Sequence, residues 1–431
     1  MTSSAHLSPN PIPTVGVTPI SVPPSPWRPL LLLSSGQLTV WGVLYYTFAV
    51  TQVPMARELG WSPQLLAGAF SCALLVLALA GPALGRWYDR HGARGSLLAG
   101  TVLGVLLMLA WSQVDHPLVF TLIMAGVGLC VAASGYEPAF WLIATWFASR
   151  RARALTVLTL FGAMASPLYL PLTERLCATL GWRPALMVLA GVLAVVAIPC
   201  YLMLPKAHAA RVSPDPRLSR AAVAEARGDR RFHWLQLGFV ATSLTAIAIP
   251  VHLIPYLVAQ GESSVFAASA TGAIAFVGIA GRLVFGALGD GRWLMPLTAG
   301  FFALMSVAVL LLLTLPTRIG TLCFVAAFGL GYGALWPTRA AIVARIWSGP
   351  NLGAIAGAFA LAPNLAKAAA PLLAAAIAVV IGFDGAFAVL GGLPLIAGIA
   401  LLIADRDDRR RAAIVPDVEA GIEPMPAPAT S

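Results

Sequence analysis

The chain has 431 residues, of which 59% are apolar and 10% are charged. Soluble domains contain about a quarter charged residues, so this composition and a mean hydropathy of +0.85 exclude an ordinary soluble globule and predict a membrane protein. The five cysteines lie singly in apolar stretches with no C-x-x-C pair, which predicts core residues and neither a disulfide framework nor a metal site.

The two ends of the chain differ from the rest. Residues 1–27 contain seven prolines, almost no charge and no apolar run, which predicts a disordered tail without the basic start and apolar core of a signal peptide. Residues 405–431 open with the charged run Asp405–Arg411 and end in Pro and Ala, which predicts a second, cytoplasmic tail.

Twelve apolar segments lie between these tails. A helix needs about 20 residues to cross the hydrocarbon layer, whereas barrel strands are about 10 residues long and alternate in polarity. The segments are longer than strands and apolar on all sides, so the predicted fold class is an all-α membrane protein with twelve transmembrane helices. The segments run near 30–54, 63–85, 96–114, 118–141, 154–178, 185–204, 234–259, 263–289, 295–314, 319–343, 352–378 and 386–404.

The arginines predict the orientation, because cytoplasmic loops of membrane proteins carry an excess of basic residues. With the N-terminus inside, the outer connections hold few arginines: Arg57, Arg183 and Arg318, with Arg175 near an outer helix end. The inner connections hold many more: Arg86, Arg90, Arg94, Arg150, Arg151, Arg153, Arg292, Arg345 and those from Arg406 to Arg411, together with the arginines of the long inner loop. The net charge of +10 therefore indicates a lipid bilayer and no nucleic-acid partner.

One long polar segment, 206–232, divides the helices six and six. It predicts an N-terminal bundle over 28–205, a cytoplasmic inter-bundle loop over 206–232 and a C-terminal bundle over 233–404. Two pseudo-symmetric six-helix bundles are typical of secondary transporters. A repeat supports this interpretation, since the loops that follow helices 2 and 8 share the pattern G-x-x-x-D with arginine close behind.

The first of these loops resembles the signature between helices 2 and 3 of the major facilitator superfamily. The matching positions are Gly85, Asp89, Arg90, Gly92 and Arg94. The resemblance covers about 30–404 and implies a transporter that alternates between inward- and outward-open states, with this loop as a gate. An aspartate there can face the positive end of a neighbouring helix and stabilise one of two states. The alternative is that Arg90 and Arg94 only follow the positive-inside bias.

The second copy of the loop departs from the family pattern. It contains Gly286, Asp290 and Arg292, but Gly291 stands where the family usually has arginine. We still expect Gly286, Asp290 and Arg292 to take part in gating.

We single out four polar side chains within apolar segments, where an ionised group costs about 2.5–3.5 kcal/mol on insertion scales and is a functional candidate by default. They are Glu137 in helix 4, His252 in helix 7, Arg282 in helix 8 and Lys367 in helix 11. Each has a structural alternative. Glu137 could pair with an inner-loop arginine, Arg282 could reach the inner gate, and His252 could donate to a carbonyl freed by a neighbouring proline.

Several stretches resemble the monocarboxylate transporters and their bacterial oxalate/formate-type relatives. They are the entry to helix 2 at 58–63, His252–Leu257 of helix 7, and Gly281–Asp290 of helix 8. In that group the arginine of helix 8 holds the substrate carboxylate, and Arg282 occupies the matching position. The resemblance therefore implies a small organic anion at Arg282, with Lys367, His252, Tyr46 and Trp336 as further substrate-binding candidates.

Two departures from that group concern proton coupling. Animal members place an aspartate four residues before the helix 8 arginine, where Gly278 stands here, and a lysine late in helix 1, where Val50 stands. The best remaining acid is Glu137, with His252 as a possible helper. We expect symport with a proton as co-substrate, and Lys367 could replace the missing cation.

Other functions have less support. The chain contains no H-E-x-x-H, G-x-S-x-G or Gly-rich phosphate loop, so we expect no enzyme, no cofactor and no ATP-driven pump. Proton-coupled efflux of drug-like or other metabolites on the same fold stays open, because aromatic residues could line a cavity: Trp41, Tyr45, Tyr46, Tyr136, Trp141 and Trp336. Helix 5 lacks the G-P-x-x-G-G pattern of antiporters, which favours symport. A non-transporting receptor or scaffold is the remote alternative.

We expect a monomer in a bacterial inner membrane, with both termini cytoplasmic.

Overall fold

The computed structural model describes residues 27–147, 150–205 and 216–414, and within them the chain is helical with no strand. The first half contains α1 Trp27–Val40, a π-helical turn Trp41–Tyr46, α2 Thr47–Leu59, α3 Pro63–His91, α4 Ala93–Ser112, α5 Pro117–Ser134, α6 Tyr136–Trp146, α7 Arg151–Ala163, α8 Ala165–Leu180 and α9 Trp182–Leu202. The second half contains α10 Pro216–Gly228, α11 Arg230–Ala259, α12 Ser264–Leu288, a 3-10 turn Gly291–Trp293, α13 Leu294–Thr314, α14 Thr317–Ile346 and α15 Leu352–Ile414.

The twelve predicted segments correspond to these helices. Ten helical stretches in the described ranges are long and apolar enough to cross a membrane. The predicted first segment is not among the ten, because the π-helical turn interrupts it between α1 and α2. Two predicted segments merge in α15, where Gly382 adopts φ 75° and turns the chain between them. The all-α fold with twelve membrane helices is therefore confirmed.

Matching helix starts show the repeat between the two halves. Helix α3 begins after Ser62, whose side chain accepts a hydrogen bond from the Leu65 N–H at 3.2 Å. Helix α12, its counterpart, begins after Ser263, whose side chain accepts from the Phe266 N–H at 3.2 Å. Serine before a helix satisfies a backbone donor that has no intrahelical partner. The same local chemistry therefore starts the second helix of each half.

Close helix contacts join the two halves. Gly85 of α3 lies against the backbone of Gly353 in α15, and Gly286 of α12 lies against the Thr156 side chain in α7. Small residues allow membrane helices to approach closely enough for extensive van der Waals contact. These contacts lie near the loops that follow α3, α6 and α12. Arg94, Arg150 and Arg292 lie in or next to those connections, and we call the side of the molecule on which they lie the arginine-rich face.

The long inner loop contains a helix that the polar composition did not predict. Residues 206–215 lie outside the described ranges, but α10 occupies most of the remainder. Its Ser219 and Ala226 are buried, and the Ser219 hydroxyl donates to the Asn351 side chain at 3.3 Å. The loop therefore packs against the entry to α15 through one face of a short amphipathic helix.

The predicted tail boundaries also differ from the structure. Helix α15 continues past residue 404 because its charged residues form ion pairs, with Asp405 to Arg409 at 2.8 Å and Asp408 to Arg231 at 2.5 Å. At the other end, Trp27 already belongs to α1, and its ring packs on Phe147 with centroids 5.1 Å apart. The rest of the predicted tails, 1–26 and 415–431, lies outside the described residues.

A pair of glycines on α12 tests the importance of close helix packing. A Cβ on Gly281 would overlap the backbone of Leu330 in α14, whereas a Cβ on Gly272 would meet nothing within 4 Å. We therefore expect Gly281→Val to destabilise the protein by about 1–3 kcal/mol through overpacking, and Gly272→Val to be neutral. Thermal unfolding of the purified variants in one detergent measures both. Equal melting temperatures for the two variants would contradict this account of the packing.

Candidate functional site

Arg282 projects from α12 at the seam between the two halves and is 6% exposed. The backbone carbonyl of Arg282 accepts a hydrogen bond from Thr156 of α7 at 2.9 Å, which fixes this turn of α12 against the first half. Its guanidinium atoms Nε and Nη1 are buried and have no hydrogen-bond partner among the described residues. A buried guanidinium with unsatisfied donors is costly, so an acceptor that reached these atoms would relieve that cost.

Tyrosines from both halves lie in the neighbourhood of this guanidinium. They are Tyr46 and Tyr136 of the first half and Tyr332 of the second half. The Tyr136 ring packs on Trp41 with centroids 4.8 Å apart. Tyrosine hydroxyls can donate hydrogen bonds to an anion held by the arginine. The sequence analysis included Tyr46 among the binding candidates but did not identify Tyr332.

Gly278 explains why no acid accompanies Arg282 one helical turn away. A Cβ at Gly278 would lie 3.3 Å from the Gly333 Cα, and 3.4 Å from both the Gly329 carbonyl oxygen and the Arg282 Nη1 atom. Helix α12 therefore approaches α14 so closely here that a larger side chain would force the helices or the guanidinium to shift. A glycine at position 278 permits this close packing. It also leaves the Arg282 charge without an acidic neighbour at this position.

Lys367 and Trp336, both predicted to bind substrate, lie together. The Lys367 Nζ atom is 3.8 Å from the centroid of the Trp336 ring and donates to the Asn364 side chain at 2.8 Å. An ammonium over an indole ring is stabilised by the ring quadrupole. Both partners are uncharged, so they orient the Lys367 ammonium without neutralising it.

Glu137 pairs across the seam with an arginine that the sequence analysis missed. The Arg339 Nη2 atom of α14 donates to the Glu137 Oε1 atom of α6. The structural alternative for Glu137 was an inner-loop arginine, and its partner is instead a second membrane-embedded arginine. The sequence contained a signal for this pair. Pro138, next to Glu137, and Pro337, two residues before Arg339, lie in corresponding helices of the two halves.

His252 lies apart from this charged group. Its Nε2 atom is 3.1 Å from the Pro371 carbonyl oxygen, and its ring lies 5.8 Å from the Phe383 ring. The contact links α11 to α15. The structural alternative for His252 was a hydrogen bond to a backbone carbonyl. The observed contact is of that kind, but its carbonyl belongs to another helix.

Two aspartates of the repeated motifs each bind a helix start in the opposite half, and Asp89 does so from the last turn of α3, because that helix continues to His91 through the segment predicted as a loop. Asp89 accepts hydrogen bonds from the backbone N–H groups of Gly353 and Ala354, both at 2.7 Å, at the start of α15. Asp290 accepts from the Ala152 N–H at 3.0 Å, at the start of α7. The first N–H groups of a helix lack intrahelical acceptors and carry the positive end of its dipole, so a carboxylate is the best partner for them. The two contacts are related by the internal repeat.

The other predicted gating residues have different positions. Arg94 donates to the carbonyls of Tyr201 and Leu202 at the end of α9, within its own half. The Arg292 guanidinium lies 5.3 Å from the Trp293 ring, also within its own half. Gly92 adopts φ 76° and ends α3. The Arg90 Nε atom is buried without a hydrogen-bond partner among the described residues. Among the predicted gating residues, Asp89, Asp290, Gly85 and Gly286 contact the opposite half.

Comparison with known proteins adds three relatives. The chain is 31% identical to mouse monocarboxylate transporter 11 over 300 residues, which covers 66% of each protein. It is 26% identical over 363 residues to an MFS-type transporter of Gibberella moniliformis, covering 80% of this chain and 83% of that one. It is 27% identical over 287 residues to an MFS-type efflux pump of Mycolicibacterium smegmatis, covering 62% and 65%. The matched region thus spans about two thirds of two of these relatives.

A solved structure shares the fold. FucP, a Major Facilitator Superfamily transporter crystallised in the outward conformation, superposes with a TM-score of 0.72 at 13% identity and covers 87% of this chain and 98% of its own. The family profile of the Major Facilitator Superfamily matches residues 32–338. With its repeated loops and membrane helices, the chain therefore belongs to the Major Facilitator Superfamily, a family of integral multi-pass membrane transporters and not of enzymes.

Proposed function

We propose that this transporter moves a small, monocarboxylate-like organic anion, and that Arg282 binds its carboxylate. The observation that carries the proposal is the buried guanidinium with two unpartnered nitrogen atoms at the seam. A guanidinium presents parallel donors that match the two oxygens of a carboxylate, and this pairing is strong where water is excluded. The similarity to a monocarboxylate transporter supports the same class of substrate.

The balance of charge around the seam also favours an anion. Arg339 is neutralised by Glu137, whereas Arg282 and Lys367 form no ion pair within the described residues. A site lined by one sign of charge concentrates ligands of the opposite sign. Two cations are therefore available to an anion that enters between the halves, with Trp336 and Tyr46 as apolar and hydroxyl contacts for the rest of the molecule.

The contacts between the halves suggest the direction of access. Asp89 and Asp290 bind the opposite half at the arginine-rich face, which is closed in this structure. We propose that this face is cytoplasmic and that both termini lie there, as the arginine distribution predicts. Substrate then reaches Arg282 from the opposite side. Release of the two aspartates from the starts of α15 and α7 opens the arginine-rich face, so that Gly85, Gly286 and the neighbouring loop residues act as the gate.

Glu137 is the proposed proton acceptor for symport. It is a carboxylate at the seam, bonded to a residue of the opposite half, so its protonation changes an interaction between the halves. His252 is bonded to the Pro371 carbonyl and has only a supporting role in this scheme. We propose that a monomer carries out transport in a bacterial inner membrane, because every residue of the proposed site belongs to one chain.

A second candidate is export of aromatic or drug-like compounds. Aromatic rings of the first half cluster at the seam, with Trp41 to Tyr45 at 5.2 Å and Tyr45 to Tyr46 at 5.2 Å between centroids. Such surfaces bind flat apolar ligands. The similarity to an efflux pump supports this candidate.

Uptake into proteoliposomes tests the role of Arg282. We expect a panel of labelled mono- and dicarboxylates to include a substrate, and Arg282→Ala to raise its KM at least about thirtyfold, because loss of one partner of a buried charge pair costs about 2–5 kcal/mol. Lys367→Gln should raise KM less. The matched control is Arg318→Gln, since Arg318 is 74% exposed and pairs with Glu262 at the surface, where ion pairs contribute little.

The same assay separates the two candidates. Failure of the folded, reconstituted protein to take up any acid would contradict the carboxylate proposal, and accumulation of hydrophobic compounds in the export direction would then support the second candidate. Uptake that is equal in wild type and Arg282→Ala would contradict the assignment of the site.

The coupling role of Glu137 has its own readout. We expect Glu137→Gln to remove the stimulation of uptake by an inward proton gradient while exchange of labelled for unlabelled substrate continues, because exchange requires no net proton movement. The two rates are measured in the same vesicles with and without the gradient. Unchanged gradient-driven uptake in Glu137→Gln would show that the proton is carried elsewhere or that transport is uncoupled.

A further inference from the structure

Three arginines of the second half meet at the short turn that connects α12 to α13. This turn, Gly291–Trp293, joins two helical stretches that are long and apolar enough to cross a membrane, so it lies at the membrane surface. The Gly291 carbonyl oxygen accepts a hydrogen bond from the Arg345 Nη1 atom at 2.7 Å, and the Arg292 carbonyl oxygen accepts one from the Arg409 Nη2 atom at 3.3 Å. We call Arg292, Arg345 and Arg409 the turn cluster.

The carboxylates beside the turn cluster neutralise it only in part. Asp405 pairs with Arg409 at 2.8 Å. Asp408 lies 3.4 Å from Arg345, but it is shared with Arg231, to which it is closer at 2.5 Å. One acid thus serves two guanidinium groups, and the turn cluster keeps a net positive charge.

Arg292 is the member of the cluster that forms no ion pair within the described part of the chain. The acid nearest to it in the sequence, Asp290, is occupied by the Ala152 N–H at 3.0 Å. The Arg292 side chain is exposed, and its guanidinium lies 5.3 Å from the centroid of the Trp293 ring, which is itself 58% exposed. Exposed tryptophans at the ends of membrane spans are typical of the headgroup layer. The unpaired guanidinium therefore lies at the depth of the phospholipid phosphates.

The end of α15 adds further positive charge on the same side. Arg406 and Arg410 are exposed, lie within one helical turn of Arg409, and form no ion pair with other described residues. Basic residues directly next to a membrane span are attracted to anionic lipids, and each contributes separately to that attraction. An anion that approaches the turn cluster thus meets cations from both the turn and the end of α15.

From this arrangement we infer that the turn cluster binds the phosphate of an anionic phospholipid headgroup, with Arg292 as its principal ligand and the Trp293 indole beside it in the headgroup layer. A guanidinium presents parallel donors that match two phosphate oxygens, and it keeps its charge at any physiological pH. The site lies on the surface of the second half, apart from Arg282. The inference therefore does not rest on the proposed substrate, on the direction of access or on proton coupling.

Native mass spectrometry of the purified full-length protein in detergent tests this site by measuring the Kd of added lipid. We expect wild type to bind phosphatidylglycerol about tenfold or more tighter than phosphatidylcholine, whose headgroup carries a compensating cation. Arg292→Gln should weaken phosphatidylglycerol binding by about fivefold, because one arginine contact to the phosphate is lost, and should leave phosphatidylcholine binding unchanged.

A matched variant separates a local site from the net charge of the face. Arg153 is also exposed on the arginine-rich face, in the first turn of α7, but it belongs to the other half. Arg153→Gln removes the same charge and should leave the affinity for phosphatidylglycerol unchanged. A phosphatidylglycerol with a photoreactive group on its headgroup should cross-link to the peptide that contains Trp293. Equal melting temperatures of the lipid-free proteins check that both variants are folded.

Each result supports or overturns the site independently of transport. A loss of affinity confined to Arg292→Gln, with cross-links at the turn, would establish the site even if no carboxylate is transported. Equal losses in Arg292→Gln and Arg153→Gln would show attraction by net charge alone and overturn it. Equal affinity of wild type for the two lipids would overturn it as well. Displacement of phosphatidylglycerol by inorganic phosphate at the same concentration would assign the cluster to a free phosphate and overturn the lipid as its ligand.

Discussion

The central constraint on this molecule is a buried guanidinium that no residue in the described ranges neutralises. Arg282 lies at the seam with two nitrogen atoms that have no partner among the described residues, and Gly278, which packs closely against α14, supplies no acid beside it. A protein retains such a cation where a ligand supplies the missing charge. The proposed anion site, its position between the halves and the need for alternating access all follow from this one unpaired group.

The two halves contact each other on one side through the same chemistry used twice. Each repeated loop places a carboxylate on the start of a helix in the other half, Asp89 on α15 and Asp290 on α7. Such contacts are directional and depend on helix ends being in place, so they form fully or are lost together when the bundles rock. Because they need no particular substrate, this gate is compatible with different cargoes in one family.

The sequence predicted the parts of this structure that depend on periodicity and composition. Twelve helices, two halves and the repeated loops follow from apolar length and from a short motif, and embedded charge alone identified Arg282, Lys367 and Glu137. Contacts between distant segments were less accessible. Arg339 lies inside the predicted segment 319–343 but was not counted among the embedded charges, and only the fold brings it to Glu137. Helix α10 was missed because its polar composition concealed one buried face.

The most direct test of the account is a cryo-EM structure of the full-length protein with a transported carboxylate bound. The account predicts density for the ligand at the seam, with its carboxylate within hydrogen-bond distance of Arg282 and its remainder near Lys367 and Trp336. The same preparation of Arg282→Ala should show no such density. An Arg282 side chain that pairs with a protein carboxylate, or a ligand bound away from the seam, would contradict the central claim.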